Sequence, residues 1–485
     1  MQKKIIYGIL SVLFILMYAS CINDESTPGN KVLSEITIDV PSGKDTIHAE
    51  FGINVTIDPA EWVKQSLEGQ NLNYEWRASY IKETGGGFNQ DSLKYLSHEP
   101  VLDYAFKQLG QYWVRLRVSN EDGSAFRQFV VYVEAAFEEG LFILSKEEEG
   151  KGRTTFMRVR NEAGVLSGSL SDFIQSPFET INPDFPLNDP ADVLKLGKDM
   201  FMASAKDQLL YHFDYRTFDL INKIEIKEQF PELRPAALCG MDRGMSPVFL
   251  LMGDNGKVVL YETKLSFIYE SPKLFPANET YDDCFAYMKG TMEHCFFVND
   301  TEGLVRYIDL SNQRAFTSKY FEREEIVNLM FSDDGRLYVV SRDKLDAATV
   351  KITWFAPANF IFGAFRSPLD YTYTSDQLSL TRNTRIIINV LYKLAFYNQE
   401  GKLYRWSYRS TEPQLPEDAV AEVDGKITCM SFSSDNEYIY LGYYNPDSKE
   451  ELKGSVAVFS IKEQRIVKEF TGVADRPVRV FYKNR

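Results

Sequence analysis

The sequence predicts an all-β protein built from more than one module, and three observations carry that expectation. The 485 residues include 28 Tyr and 34 Phe, an aromatic fraction of 14%, and flat aromatic side chains suit a pleated, half-buried surface. Short alternating apolar runs separated by Gly, Asp, Asn and Ser recur along the chain. From residue 140 onward a looser unit repeats with a period of roughly 45 to 50 residues. The chain also exceeds the size, about 250–300 residues, at which one hydrophobic core stops growing, so two domains or a repeat array plus a module are expected.

The first element is not part of the fold. Lys3 and Lys4 precede an apolar run from Ile5 to Tyr18, which ends at Ala19, Ser20 and Cys21, the layout of a secretory signal over residues 1–20. That run is shorter than the roughly 20 residues a bilayer-spanning helix needs, and no second one follows. Ala19-Ser20-Cys21 resembles the lipobox of bacterial lipoproteins, with Met17 or Tyr18 in place of the usual Leu. The resemblance implies a diacylglyceryl group on the Cys21 thiol, where two or more acyl chains make a stable anchor. The alternative is a plain cleaved signal with an incidental cysteine. Residues 21–31 hold almost nothing to bury and read as a disordered tether, able to reach roughly 30 Å. Its acidic pair, Asp24 and Glu25, is similar to the sorting signal that sends Bacteroidetes lipoproteins to the outer face of the outer membrane.

Formal net charge is −15, and losing Lys3 and Lys4 with the signal takes it to −17. Binding to nucleic acid by counterion release needs a basic surface, so no nucleic-acid partner is expected. Of the five cysteines, at 21, 239, 284, 295 and 429, the lipid claims the first, and no C-x-x-C pair suggests zinc or redox chemistry. Cys284 and Cys295 are placed to bridge adjacent strands or to remain free and buried; both readings stand.

Residues 32–135 alternate in short runs, at Ile36 to Val40, Gly52 to Ile57, Asn73 to Arg77, Tyr112 to Ser119 and Phe126 to Val133, the pattern of an Ig-like β-sandwich. Trp76 sits mid-strand, where it would fill the space between sheets. Val114, Leu116 and Val118 take one face of their strand, while Trp113, Arg115 and Arg117 take the other. The run from Leu109 to Gly123 resembles the closing hairpin of a polycystic-kidney-disease (PKD) type domain, with its Gly-x-Tyr-x-Val-x-Leu-x-Val pattern ending in Asx-x-x-Gly. Such modules are usually spacers or binding modules.

Residues 138–485 hold the repeats: an apolar strand, a polar turn, then a strand rich in Tyr and Val. Turns at Gly253-Asp254-Asn255-Gly256, Ser332-Asp333-Asp334-Gly335, Asn398-Gln399-Glu400-Gly401 and Ser433-Ser434-Asp435-Asn436 carry the unit. Units begin near residues 140, 194, 234, 283, 325, 382 and 426, which predicts a C-terminal β-propeller of about seven blades. A ring must hide its strand edges, so Val478 to Phe481 is expected beside Leu141 to Leu144. The competing arrangement is two stacked sandwiches.

Catalytic signals are weak. Only His48, His98, His212 and His294 are available as bases. Gly244-Met245-Ser246-Pro247-Val248 lacks the final Gly of a nucleophile elbow. His212 with Asp214, or His294 with Cys295, are the only metal-like pairs, and an ordinary strand pair explains each, so no metal and no cofactor is expected. A glycosidase needs only two carboxylates, which leaves that chemistry as an alternative. Ser332-Asp333-Asp334-Gly335 is similar to the Asp-box of sialidase propellers, but a hairpin turn explains it. A non-catalytic binding protein fits better, with aromatic residues near strand ends as candidate ligand contacts: Trp354, Trp406, Tyr281, Tyr371, Tyr373 and Tyr443. Blade packing competes with that role at each position.

Lipobox, acidic tether, PKD-like module and propeller, in this order, resemble the PKD-like surface lipoproteins of Bacteroidetes. That resemblance implies an accessory to a SusC/SusD-type outer-membrane importer, with a SusC-like TonB-dependent transporter and a SusD-like lipoprotein as partners. It implies a protein that binds or presents nutrient, oligopeptide slightly preferred over oligosaccharide. The alternatives are a glycan-active propeller enzyme and a scaffold that binds only the transporter. Asp45-Thr46-Ile47 and Asp91-Ser92-Leu93 are similar to sites that Bacteroidetes O-glycosylate on exported proteins, which makes Thr46 and Ser92 candidate glycan acceptors.

Overall fold

The computed structural model describes residues 32–81, 93–159, 161–241, 247–289, 292–357, 365–378, 380–381 and 384–484. The sequence-derived features at Cys21, Asp24, Glu25, Ser92 and Ser246 lie outside those residues. The chain divides between Ala135 and Ala136 into two compact units.

The first unit is a two-layer β arrangement. Its strands are β1 (Ile36–Ile38), β2 (Thr46–Glu50), β3 (Asn54–Ile57), β4 (Val63–Gln65), β5 (Asn73–Ile81), β6 (Lys94–Ser97), β7 (Leu102–Ala105), β8 (Gly110–Ser119) and β9 (Ser124–Glu134). A five-stranded sheet in the order β2-β9-β8-β5-β6 packs its inner face against the pairs β1-β4 and β3-β7. Among the described residues only β2 and β9 run parallel, with Thr46 opposite Val130. Strand β8 shows why the layers form: Val114, Leu116 and Val118 are fully buried, while Arg117 on the opposite face is exposed. Trp76 fills the interior at 0% exposure and donates its indole N–H to the Glu99 carbonyl at 3.0 Å, so the one polar atom of the ring is satisfied.

The second unit consists, among the described residues, of seven four-stranded antiparallel sheets. Their innermost strands begin at Pro190, Pro235, Asp283, Glu324, Ile386, Lys426 and Arg476. In six of them the strands run outward in chain order. The other takes its innermost strand, Arg476–Lys483, from the end of the chain and its other three from residues 140–175. Leu141 faces Tyr482, Phe142 faces Phe481 and Ile143 faces Val480 in that closing pair. Gly140, opposite Lys483, has no room for a side chain: a Cβ there would lie 2.2 Å from the Met157 carbonyl oxygen.

Each gap between consecutive sheets holds an apolar cluster. Phe142, Met200 and Met202 fill the first, and Phe201, Phe249 and Tyr261 the next. The series continues around to Tyr440, Val458, Leu141 and Val480, which return to the starting sheet. Successive residues of one strand therefore pack against different neighbours, Met200 and Met202 on one side and Phe201 on the other. A strand buried on both faces reads as a continuous apolar run. Radial packing of four-stranded sheets around a shared axis is the β-propeller arrangement. Among the described residues no helix is long and apolar enough to cross a membrane.

Candidate functional site

The innermost strands of all seven sheets surround a central cavity of about 610 Å³. Its wall includes residues 190–194, 236–241, 283–287, 385–387, 428–431 and 476–481, with Asn328 completing the ring. Inner strands that meet around an axis leave side chains pointing at a lumen, where charged residues can remain hydrated.

Two ion pairs dominate the wall. Arg479 donates from Nε to Asp192 Oδ1 at 2.6 Å and from Nη2 to Asp192 Oδ2 at 3.0 Å, a bidentate fork. The same carboxylate accepts the Val193 amide at 2.8 Å and the Leu238 amide at 3.0 Å. Its side chain is 3% exposed, whereas that of Arg479 keeps 49% of its surface open to the lumen although protein surrounds it. The charge on Asp192 holds the Arg479 guanidinium above its ordinary pKa. The second pair joins Arg385 Nη1 to Asp283 Oδ2 at 2.5 Å, with side-chain exposures of 44% and 16%. Asp283 also accepts the Cys284 amide at 2.8 Å.

Around these pairs the wall is mixed. Cys239 and Cys284 line the cavity, and Cys295 packs with them in the adjoining apolar cluster. Hydrogen bonding to Cys284 is the largest influence holding the Cys239 thiol above its ordinary pKa. Burial pushes the Cys429 thiol up to about 12, against the opposing charge of Arg479. Glu293, on the strand behind Cys284, is pushed up to about 7 by burial. Asn328 Oδ1 and Ser431 Oγ have no hydrogen-bond partner among the described residues, and both residues belong to the cavity wall.

The aromatic candidates lie elsewhere, and three of them need correction. Trp406 is 1% exposed and gives its indole N–H to the Pro413 carbonyl at 3.1 Å. Tyr281 and Tyr443 are 3% exposed, with hydroxyls donated to Glu279 at 2.7 Å and Glu469 at 2.6 Å. A ring enclosed between sheets has no face left for a ligand, so these three are packing residues. Trp354 is half-buried and stacks on Tyr338 at 6.1 Å. Tyr371 and Tyr373 are half-buried on the outermost strand of their sheet, 5.8 Å apart. None of the six lines the cavity. Thr46 is exposed on β2.

His212 and Asp214 engage different partners. His212 turns to Asp199, 3.0 Å from Oδ1, and stacks on Phe201, while Asp214 is engaged by Arg216 at 2.8 Å. Among the described residues no group of three His, Cys, Asp or Glu side chains is arranged to hold a metal. Cys284 and Cys295 are not cross-strand partners: Cys284 sits opposite Phe297 and Cys295 opposite Ala286, and both thiols are free.

Sequence reading missed Asp192, Arg479, Asp283 and Arg385. The available signal was a charge set inside an apolar strand, as in Ala191-Asp192-Val193 and Val478-Arg479-Val480, because such a charge demands a partner.

No protein-family model and no curated protein matches the chain. Among solved structures it is similar to a quinonprotein alcohol dehydrogenase-like protein from Bacteroides thetaiotaomicron, at 13% identity and TM-score 0.48, covering 92% of this chain and 99% of that one. It is also similar to a functionally unknown protein from Desulfotomaculum acetoxidans, at 10% identity and TM-score 0.45, covering 71% and 99%. The Cps50 β-propeller domain of Myceliophteria thermophila matches at 11% identity and TM-score 0.40, covering 59% and 88%. Likeness at this level says nothing about activity, and the fold assignment rests on the sheet topology itself.

Proposed function

We propose that this chain is a non-catalytic cell-surface lipoprotein that binds nutrient in the central cavity of a seven-bladed propeller, as an accessory to a SusC/SusD-type importer. The observation that carries the binding role is the cavity itself: about 610 Å³, walled by all seven innermost strands and furnished with ion pairs fixed at its surface. Pockets of about 300–1,000 Å³ suit small ligands, and a few fixed polar groups orient them.

In this reading Cys21 carries the lipid, Asp24 and Glu25 direct export to the outer surface, and the first unit is a PKD-like spacer. The tether keeps the propeller close to the transporter, so the anchor supplies effective concentration without any new contact. Oligopeptide is preferred over oligosaccharide as the ligand.

The test is purification of the native protein from membranes with mild detergent. Co-purification of a barrel transporter and a lid lipoprotein is expected. Recovery of the protein alone, from a fraction that needs no detergent, would overturn both the anchor and the partnership.

A further inference from the structure

We infer that the cavity takes a ligand bearing a carboxylate, held by the lumen-facing guanidiniums of Arg479 and Arg385. The inference rests on the reading of the cavity as a binding site and adds the chemistry of what enters it.

The polarity of the two ion pairs is the main observation. In each, the carboxylate is sunk into the wall and the guanidinium faces the lumen: 3% exposure against 49% for Asp192 and Arg479, and 16% against 44% for Asp283 and Arg385. The carboxylates are also consumed by backbone. Asp192 accepts the Val193 and Leu238 amides, and Asp283 accepts the Cys284 amide. What each pair offers the lumen is therefore N–H donors on a cation. Asp192 engages two of the five guanidinium donors of Arg479, which leaves three for a ligand. An arginine held by a buried acid is pre-organised, and its planar fork matches the two oxygens of a carboxylate.

Charge points the same way. The wall carries four basic side chains, Lys146, Arg385, Arg476 and Arg479, against two acidic ones, Asp192 and Asp283. Lys146 is neutralised at 2.8 Å by Asp189, which is not in the wall. An excess of one positive charge then remains inside a chain whose overall charge is −15. A single excess charge suits a monoanion better than a doubly charged phosphate. Both arginines serve one space, since Arg385 and Arg479 line the same cavity.

A peptide C-terminus and a sugar acid both supply such a carboxylate, and the experiment separates them. The full chain, extracted in detergent, is titrated calorimetrically with mixed tripeptides as free acids, the same tripeptides as C-terminal amides, galacturonate, and its methyl ester. Saturable binding of one acid is expected, with its neutral counterpart weaker by roughly tenfold or more, the scale of a charge-assisted hydrogen bond. Arg385→Gln is expected to bring the acid down to its neutral counterpart. Arg479→Lys keeps a charge beside Asp192 for folding but loses the fork, and is expected to weaken the acid in the same direction. Neutral and acidic forms binding alike, or both variants binding the acid as the parent does, would overturn the inference while leaving the cavity as a binding site. Absence of heat with every probe would overturn both.

Discussion

Asp192 and Arg479 are 287 residues apart in sequence, yet they form a two-bond fork at 2.6 and 3.0 Å that ties the ring-closing strand to the next sheet. The Asp192 carboxylate also takes the Leu238 amide of the following sheet at 3.0 Å. One buried acid thus joins three consecutive innermost strands, at the point where the ends of the second unit meet.

Arg479→Ala is expected to destabilise the protein by about 2–3 kcal/mol. Breaking a buried pair typically costs about 3–5 kcal/mol because the partner charge is stranded, and here two amides still satisfy part of the Asp192 carboxylate. Asp192→Asn keeps the side-chain shape and leaves an exposed cation, so about 1–2 kcal/mol is expected. The order of the two, read from thermal unfolding of the full chain at low salt, checks the direction in which the pair is buried.

Glu293 gives a pH dependence. Its carboxyl is pushed up to about 7 by burial, so between its unfolded value of about 4.3 and 7 the folded state holds a proton that the unfolded state has released. Stability falls as pH rises across that window and levels off above it. Glu293→Gln is expected to remove this loss, raising stability at pH 8 by on the order of 2–3 kcal/mol and leaving it nearly unchanged at pH 4. Melting temperatures of parent and variant from pH 4 to 8 would diverge.

Lys483 gives the opposite slope at higher pH. Its amine is buried, lies 4.1 Å from the Phe218 ring centroid and 4.8 Å from that of Phe156, and donates to the Tyr215 carbonyl. Burial lowers its pKa well below the ordinary lysine value. Above that lowered value, and up to about 10.4, the unfolded chain binds a proton that the folded chain does not, so stability rises with pH. In Lys483→Met the apolar stem is kept and this rise in stability on the approach to about pH 10 should vanish, as followed by thermal unfolding.

Two aromatic positions separate packing from surface. Trp406→Ala empties an enclosed site and should cost about 3–5 kcal/mol, whereas Tyr371→Ala, on a half-buried outer strand, should cost under about 1 kcal/mol. Neither change should alter ligand affinity in the folded protein, since neither side chain reaches the cavity. Denaturation and ligand titration on the same two variants check both statements.

The strands were legible because burial writes itself into the sequence. Val114, Leu116 and Val118 alternate as a half-buried strand should, and polar turns such as Ser332 to Gly335 fall between paired strands. The expected pairing of Val478 to Phe481 with Leu141 to Leu144 is present in the ring closure. The looseness of the repeat also has a reason. The turn at Gly253 to Gly256 joins the second and third strands of its sheet, but the turn at Ser332 to Gly335 joins the first and second. Similar turns at different places in the sheet blur the period.

The cavity was not legible, because which edge of a sheet faces the axis depends on closure of the whole ring. Asp192 meets Arg479 only once five further sheets have been laid down between them along the chain, and no local pattern encodes that meeting. Trp406, Tyr281 and Tyr443 are packing residues for the converse reason. Trp406 and Tyr443 lie in strand-rich, turn-flanked sequence that looks the same whether a ring ends at a surface or between two sheets.

Ligand entry into the lumen is tested most directly by combining titration with thiol labelling of the full chain. Cys284 is half-buried in the cavity wall, whereas Cys239, Cys295 and Cys429 are buried. Oligopeptide and oligosaccharide pools are titrated in turn, and alkylation of Cys284 by N-ethylmaleimide is followed by peptide mass spectrometry. Saturable heat from one pool, with alkylation of Cys284 slowed over the same concentration range, is the expected result. Heat without any change at Cys284 would put the ligand elsewhere, and no heat from either pool would contradict binding altogether.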